Sequence, residues 1–401
     1  VGTCALCVNT TGVRNTGIGH RALDANTDGN CNTAVGFTSL SANTGGDFNT
    51  AVGLEALKDN TTANNNVAVG IQALKLNTTG SSLTAVGSYT LDENTTGSSN
   101  TAIGSSALNK NTTGDFNVAV GSNALCSNVT SDSNTAVGYF ALRLNTGANN
   151  TAVGLCSLEA NTTGTLNTAV GQTSLKSNTE GSCNTAMGGL ALNANTTGSN
   201  NTAFGVCTLK ANSTGHSNVA VGVCALDTNT TGTVNTAIGF KALTANTEGA
   251  SNVAIGNAME ANTTGTDNTA VGGGALQSNT TGDDNVAVGR IALAANTTGT
   301  NNVGVGHCAL RINTTGSSNT SVGACSLCHN STAANNTAVG FCALHENTTG
   351  TRNAAVGLCS LVANTTGDDN TAFGQLALRA TTTAHDNTCL LYTSPSPRDP
   401  I

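Results

Sequence analysis

Asn364-Thr365-Thr366 fits the N-x-[ST] acceptor pattern for N-linked glycosylation. The same pattern returns at Asn77, Asn94, Asn111, Asn161, Asn195, Asn229, Asn279, Asn296, Asn313 and Asn347, and these are the candidate glycan sites. Thiols are the second source of chemistry. Among the 14 cysteines, Cys207/Cys224, Cys308/Cys325 and Cys342/Cys359 are spaced so as to fall on neighbouring turns of a repeat, which makes them candidate disulfides. Cys325-Ser326-Leu327-Cys328-His329 matches the C-x-x-C-H pattern of c-type haem attachment. Its cysteines occupy repeat positions that Cys also takes at Cys4 and Cys7, so the match is read as coincidence. The histidines show no zinc spacing. The pairs Asp283-Asp284 and Asp368-Asp369 lack the glycine-rich frame of a calcium-binding repeat. No nucleophile stands in a pattern with a base. The expectation is a chain without catalytic, cofactor or metal residues.

These residues sit in a repeat of period 17. A glycine after an apolar residue recurs from Gly2 and Gly19 to Gly374, marking 23 coils, with two 16-residue intervals at Gly138 to Gly154 and Gly256 to Gly272. Positions are counted as slots 1–17 from the residue after one such glycine to the next. The consensus is x-x-A-L-x-x-N-T-T-G-x-x-N-T-A-V-G. Slot 4 is Leu in every coil except for Met259, and slot 14 is Thr or Val apart from Ala354. Slot 15 is Ala, Gly or Ser from Gly17 to Ala372.

Two glycines per repeat oppose a helix, and Leu at slot 4 has no apolar partner at helical spacing. Slots 12–16 alternate with period 2, and T-T-G and V-G punctuate turns. The expected fold is all-β: a parallel β-solenoid, or flattened β-roll, of about 23 coils of 17 residues with two short strands per coil. Slots 14 and 16 are expected inward with Leu, and slot 15 outward as a flat column on which another chain packs. Tight spacing between the two sheets is the other explanation of a small slot 15.

The asparagines admit a structural reading as well as a glycan reading. Slot 7 is Asn in 22 coils, and in five of these the sequon is broken, as at Asn178-Thr179-Glu180, yet Asn stays. Slot 13 is also Asn in 22 coils, with Leu83 the exception, and is mostly followed by Thr-Ala or Val-Ala, which is no sequon. Stacked Asn side chains bond along such a column and to turn backbone. Threonines at slots 8 and 9 are alternative carriers of O-linked sugar.

Charged residues are only 9% and aromatics 3%, with no Trp. Composition alone resembles low-complexity disorder, but the strict period overrules it. A net charge of −8 excludes a basic nucleic-acid footprint, and no apolar run is long enough to span a bilayer. Residues 1–389 read as a fragment of a longer repeat array. The tail Leu390 to Ile401 holds all 3 prolines. Codons for Leu390 to Asp399 can be chosen that spell a sequencing-library adapter, so 390–401 reads as an artefact.

The block Asn268 to Gly282, N-T-A-V-G-x-x-A-L-x-x-N-T-T-G in pattern, resembles repeats of bacterial surface proteins and phage tail-fibre-like proteins. N-T-A-V-G is also similar to the N-S-V-A-I-G motif of trimeric autotransporter adhesin heads, which form β-rolls. The resemblance implies an extracellular or cell-surface location. The expected function is a structural fibre, glycosylated, self-associating end to end and laterally. The alternatives are the shaft of an adhesin or viral tail fibre whose head lies elsewhere, and an ice-binding solenoid, which needs a flat outward Thr array.

Overall fold

The computed structural model describes residues 2–391; the tail from Tyr392, and with it most of the adapter-like stretch, lies outside the described residues. The chain forms two compact units, Val1–Thr214 and Gly215–Ile401. Each is a stack of 17-residue coils, and no helix occurs among the described residues. The first unit carries strands β1 (Thr16–Ile18) to β12 (Thr202–Phe204), the second β13 (Val219–Val221) to β23 (Thr388–Leu390).

Within each unit consecutive strands pair parallel, slot to equivalent slot, as in Val286↔Val303 and Val288↔Val305. Slot 14 donates forward to the next coil (Thr50 N to Asn66 O, 2.8 Å), and slot 17 donates back (Gly53 N to Val35 O, 2.8 Å). Both 16-residue coils keep this register, Thr135↔Thr151 and Val253↔Thr269. The missing residue is absorbed at a corner, since a slip inside the strand would turn its side chains over.

Two expectations are corrected. First, each coil has one strand, slots 14–16, and not two. Slots 1–6 form a turn-rich wall in which slots 2 and 4 have positive φ, as in Cys325 (φ 55) and Leu327 (φ 46); slot 12 does the same, as in Ser318 (φ 58). Slot 2 there donates back (Cys325 N to His307 O, 2.9 Å) and slot 4 forward (Leu327 N to Ala343 O, 3.0 Å). The left-handed conformation costs an ordinary residue about 1–2 kcal/mol, and it persists because these intercoil bonds fix both sides. β-branched residues are nonetheless accepted at slots 2 and 12, as at Thr38 (φ 50), Ile291 (φ 52) and Val234 (φ 59), so the constant Leu of slot 4 reflects its buried place in the core and not its φ alone.

Second, the inside and outside of the strand are exchanged. Slot 15 is buried in coil after coil, while slots 14 and 16 are half-buried or exposed. A Cβ on Gly304 would lie 3.3 Å from Cδ1 of Leu293, so slot 15 faces the slot-4 leucine across a thin core. The small slot 15 reflects this spacing, and the flat outer column expected there does not exist. Even the polar exception is met internally: Ser321 at slot 15 donates to Ser326 O at 2.9 Å.

The core of each coil is thus one Leu flanked by small residues at slots 3 and 15. Leu226 is fully buried. Leu226→Ala is expected to open a cavity and lower stability by about 2–5 kcal/mol, read as a shifted urea midpoint with unchanged slope. A silent substitution would contradict an inward slot 4.

Candidate functional site

Two asparagine columns bound the leucine core. At slot 7, Asn279 Nδ2 donates to Asn262 Oδ1 (2.8 Å) and to Gly282 O (2.9 Å), and Asn279 Oδ1 accepts from Asn296 Nδ2 at 2.9 Å. At slot 13, Asn285 N donates to Asn268 Oδ1 (3.0 Å) and Asn285 Nδ2 to Gly299 O (2.9 Å). The slot-10 carbonyl therefore serves both columns: Gly299 O also accepts from Asn296 Nδ2 at 2.9 Å. Buried amides with donors and acceptors both satisfied are what a polar column needs to be stable.

All eleven candidate glycan asparagines lie in this interior. Asn77, Asn94, Asn111, Asn161, Asn195, Asn229, Asn279, Asn296, Asn313, Asn347 and Asn364 are fully buried. Each donates from Nδ2 to its slot-10 carbonyl, as Asn77 does to Gly80 O and Asn364 to Gly367 O. A sugar is attached through that nitrogen, so in the folded coil it would have to leave both the ladder and the interior. The geometry assigns these residues to the ladder. Outward hydroxyls are found at slot 9, where Thr281 and Thr298 are exposed.

The ladder fails only where the repeat does. Among the buried asparagine side chains of the described residues, Asn364 Oδ1 and Asn128 Oδ1 lack a partner. Thr381 follows Asn364 in the column. Asn128 is followed by the shortened coil, in which Asn145 Nδ2 turns to Gly147 O at 2.6 Å.

The cysteines are all free thiols, including Cys207, Cys224, Cys308, Cys325, Cys342 and Cys359. Spacing suggested two separate pairs at 308/325 and 342/359. All four stand at slot 2 of successive coils, as the period places them, in one unbroken column held by slot-2 backbone bonds such as Cys342 N to Ala324 O, 3.0 Å. Cys325 then has thiol neighbours on both sides rather than one partner. Burial first, then Cys325, pushes the Cys308 thiol up, and burial with Cys325 and Cys359 takes Cys342 to about 11. Cys328, second cysteine of the C-x-x-C-H stretch, is buried with its thiol raised by the same cause.

An imidazole joins this column. His307 Nε2 lies 3.5 Å from Cys308 Sγ, and the ligand atoms of His307, Cys308 and Cys325 all lie within 4.8 Å of one another. A second cluster stands at slots 5 and 6 of the following coils. There His345 Nδ1 is 2.8 Å and His329 Nδ1 3.4 Å from the Glu346 carboxylate. No zinc spacing was visible in sequence, because the motif runs across coils: His307 and Cys325 are neighbours by slot and 18 apart in number. Their signal in the sequence is a separation of one period plus one residue.

Charged side chains elsewhere pair up the stack at variable slots. Arg352 Nε sits 2.7 Å from Asp369 Oδ1 and holds that carboxyl below its usual range. No helix among the described residues is long and apolar enough to cross a membrane. No family model and no curated protein matches the chain. The chain is a repeat protein of β-solenoid architecture.

Proposed function

We propose that this is a structural, self-associating fibre protein of the extracellular or cell-surface space. The observation that carries this reading is the equivalence of the coils. Each offers its successor the same forward and backward backbone groups in the same register, so a coil of another copy can dock on an open edge as a coil of the same chain does. Lateral contact, first assigned to slot 15, passes to the outer strand face. Slots 14 and 16 there form adjoining columns of Thr or Val and of apolar residues, with Ile238, Ile255 and Val288 exposed. Sugar, where the chain carries it, belongs on outward threonines such as Thr298. The shaft of an adhesin or tail fibre is the same object with a binding head attached.

Electron microscopy and light scattering on material never exposed to denaturant test this. Filaments that lengthen with concentration are the expected result; single-chain particles at every concentration would overturn it.

One observation favours a second reading. The slot-14 threonines, once expected inward, face out on a regular sheet, as at Thr135, Thr151, Thr168 and Thr185. Such an array is what an ice-binding face requires. A thermal-hysteresis assay decides it, with Thr168→Lys abolishing any activity found.

A further inference from the structure

We propose that His307, Cys308 and Cys325 form a binding site for a thiophilic divalent cation of the zinc class. One imidazole nitrogen and two sulfurs already lie within 4.8 Å of one another. A tetrahedral zinc holds sulfur at about 2.3 Å and nitrogen at about 2.0–2.1 Å, which sets its ligands somewhat under 4 Å apart. Closing the remaining distance is left to rotation of the three side chains. The backbone needs no change, because Cys325 N donates to His307 O at 2.9 Å and locks the two coils together.

The donor set selects the ion. Mixed imidazole and thiolate suits zinc, cobalt or cadmium, and not magnesium or calcium. Cys308 is 8% exposed while His307 is exposed, so the site has a buried wall and an open entrance. Three protein ligands leave a fourth position for water or for the Cys342 thiol, which adjoins Cys325. Binding releases the two thiol protons to solvent as the sulfurs become thiolates. No oxidant is involved, which distinguishes the site from a disulfide across the same coils. The cluster of His329, His345 and Glu346 has no sulfur and so cannot produce a thiolate signal.

The test uses the full chain, fully reduced and anaerobic, with Co²⁺ as the probe. One equivalent should produce a thiolate-to-cobalt charge-transfer band and tetrahedral d–d bands, both removed by Zn²⁺. The double variant Cys308→Ser/Cys325→Ser should lose the band, and His307→Ala should weaken binding by roughly tenfold or more. Cys156→Ser, at slot 2 between coils that carry Phe140 and Thr173, should leave it intact. Circular dichroism checks that each variant keeps the fold. No charge-transfer band in the reduced chain, or a band that survives in the folded double variant, overturns the proposal.

Discussion

Gly222→Val should destabilise the second unit by about 3–4 kcal/mol. Gly222 has φ +129, and a Cβ built there would lie 2.5 Å from Gly239 O and 2.7 Å from Gly239 C. Both atoms are backbone, so no side-chain rotation relieves the contact. Gly239 cannot retreat either, since it is stacked in turn under Gly256, whose carbonyl is 2.6 Å from its own ideal Cβ. The strained φ adds to the clash. Because the first side-chain atom is the offender, Gly222→Ala should already show most of the loss. Gly273, where an added Cβ meets nothing within 4 Å, supplies the control: Gly273→Ala should be nearly neutral. In a stack whose coils contact only their neighbours, one spoiled interface also divides the cooperative unit. Urea titration by circular dichroism should show a broadened transition, and hydrogen exchange should show the coils on either side losing protection. An unchanged midpoint for both Gly222 variants would refute the corner assignment.

The architecture was legible because the repeat states it 23 times. Period, glycine corner, inward Leu and the asparagine ladder all follow from which slots refuse to vary. The ladder in particular was visible through its broken sequons. Asn178, followed two residues on by Glu180, still donates to Asn161 Oδ1 at 2.7 Å and to Gly181 O at 2.9 Å, as its sequon-bearing neighbours do.

Other features were not legible, for identifiable reasons. Alternation along T-A-V fixes that slot 15 opposes slots 14 and 16, but not which side is inside. Burial of two β-branched residues is the ordinary expectation for a strand, and here it loses to the width of a core already filled by one Leu per coil. The missing second strand has a similar cause. Leu and Cys carry no propensity for positive φ, so no local rule marks Leu327 or Cys325 as left-handed. That conformation comes from bonds to the coils above and below. The thiol–imidazole cluster is hidden in the sequence because its ligands are not spaced along the chain; in a solenoid proximity runs across it.

Asn279→Ala should cost about 3 kcal/mol, and Thr281→Ala, which abolishes the same sequon, should stay within about 0.5 kcal/mol. The two substitutions separate a ladder from a sugar. Removing the Asn279 amide deletes its bonds to Asn262 Oδ1 and Gly282 O and the acceptor used by Asn296 Nδ2. Gly282 O retains Asn268 Nδ2 at 2.8 Å and Asn296 retains Gly299 O at 2.9 Å, so the severe loss is Asn262 Oδ1, left buried without that donor. A cavity the size of an amide adds to it. Thr281 is exposed and stands outside the column. Asn279→Asp sharpens the contrast. A carboxylate there would face Asn262 Oδ1 and Gly282 O with no proton to donate, so the native state favours its neutral form and raises its pKa above the unfolded value of about 3.9. A group whose native pKa is raised loses stability as pH climbs from the unfolded pKa through the native one. The aspartate variant should therefore approach the parent near pH 4 and fall furthest behind at neutral pH, while the alanine variant shows a constant deficit. Equal effects of Asn279→Ala and Thr281→Ala, both abolished in material made without glycosylation, would instead place a sugar at this corner and remove the ladder as the reason for its asparagine.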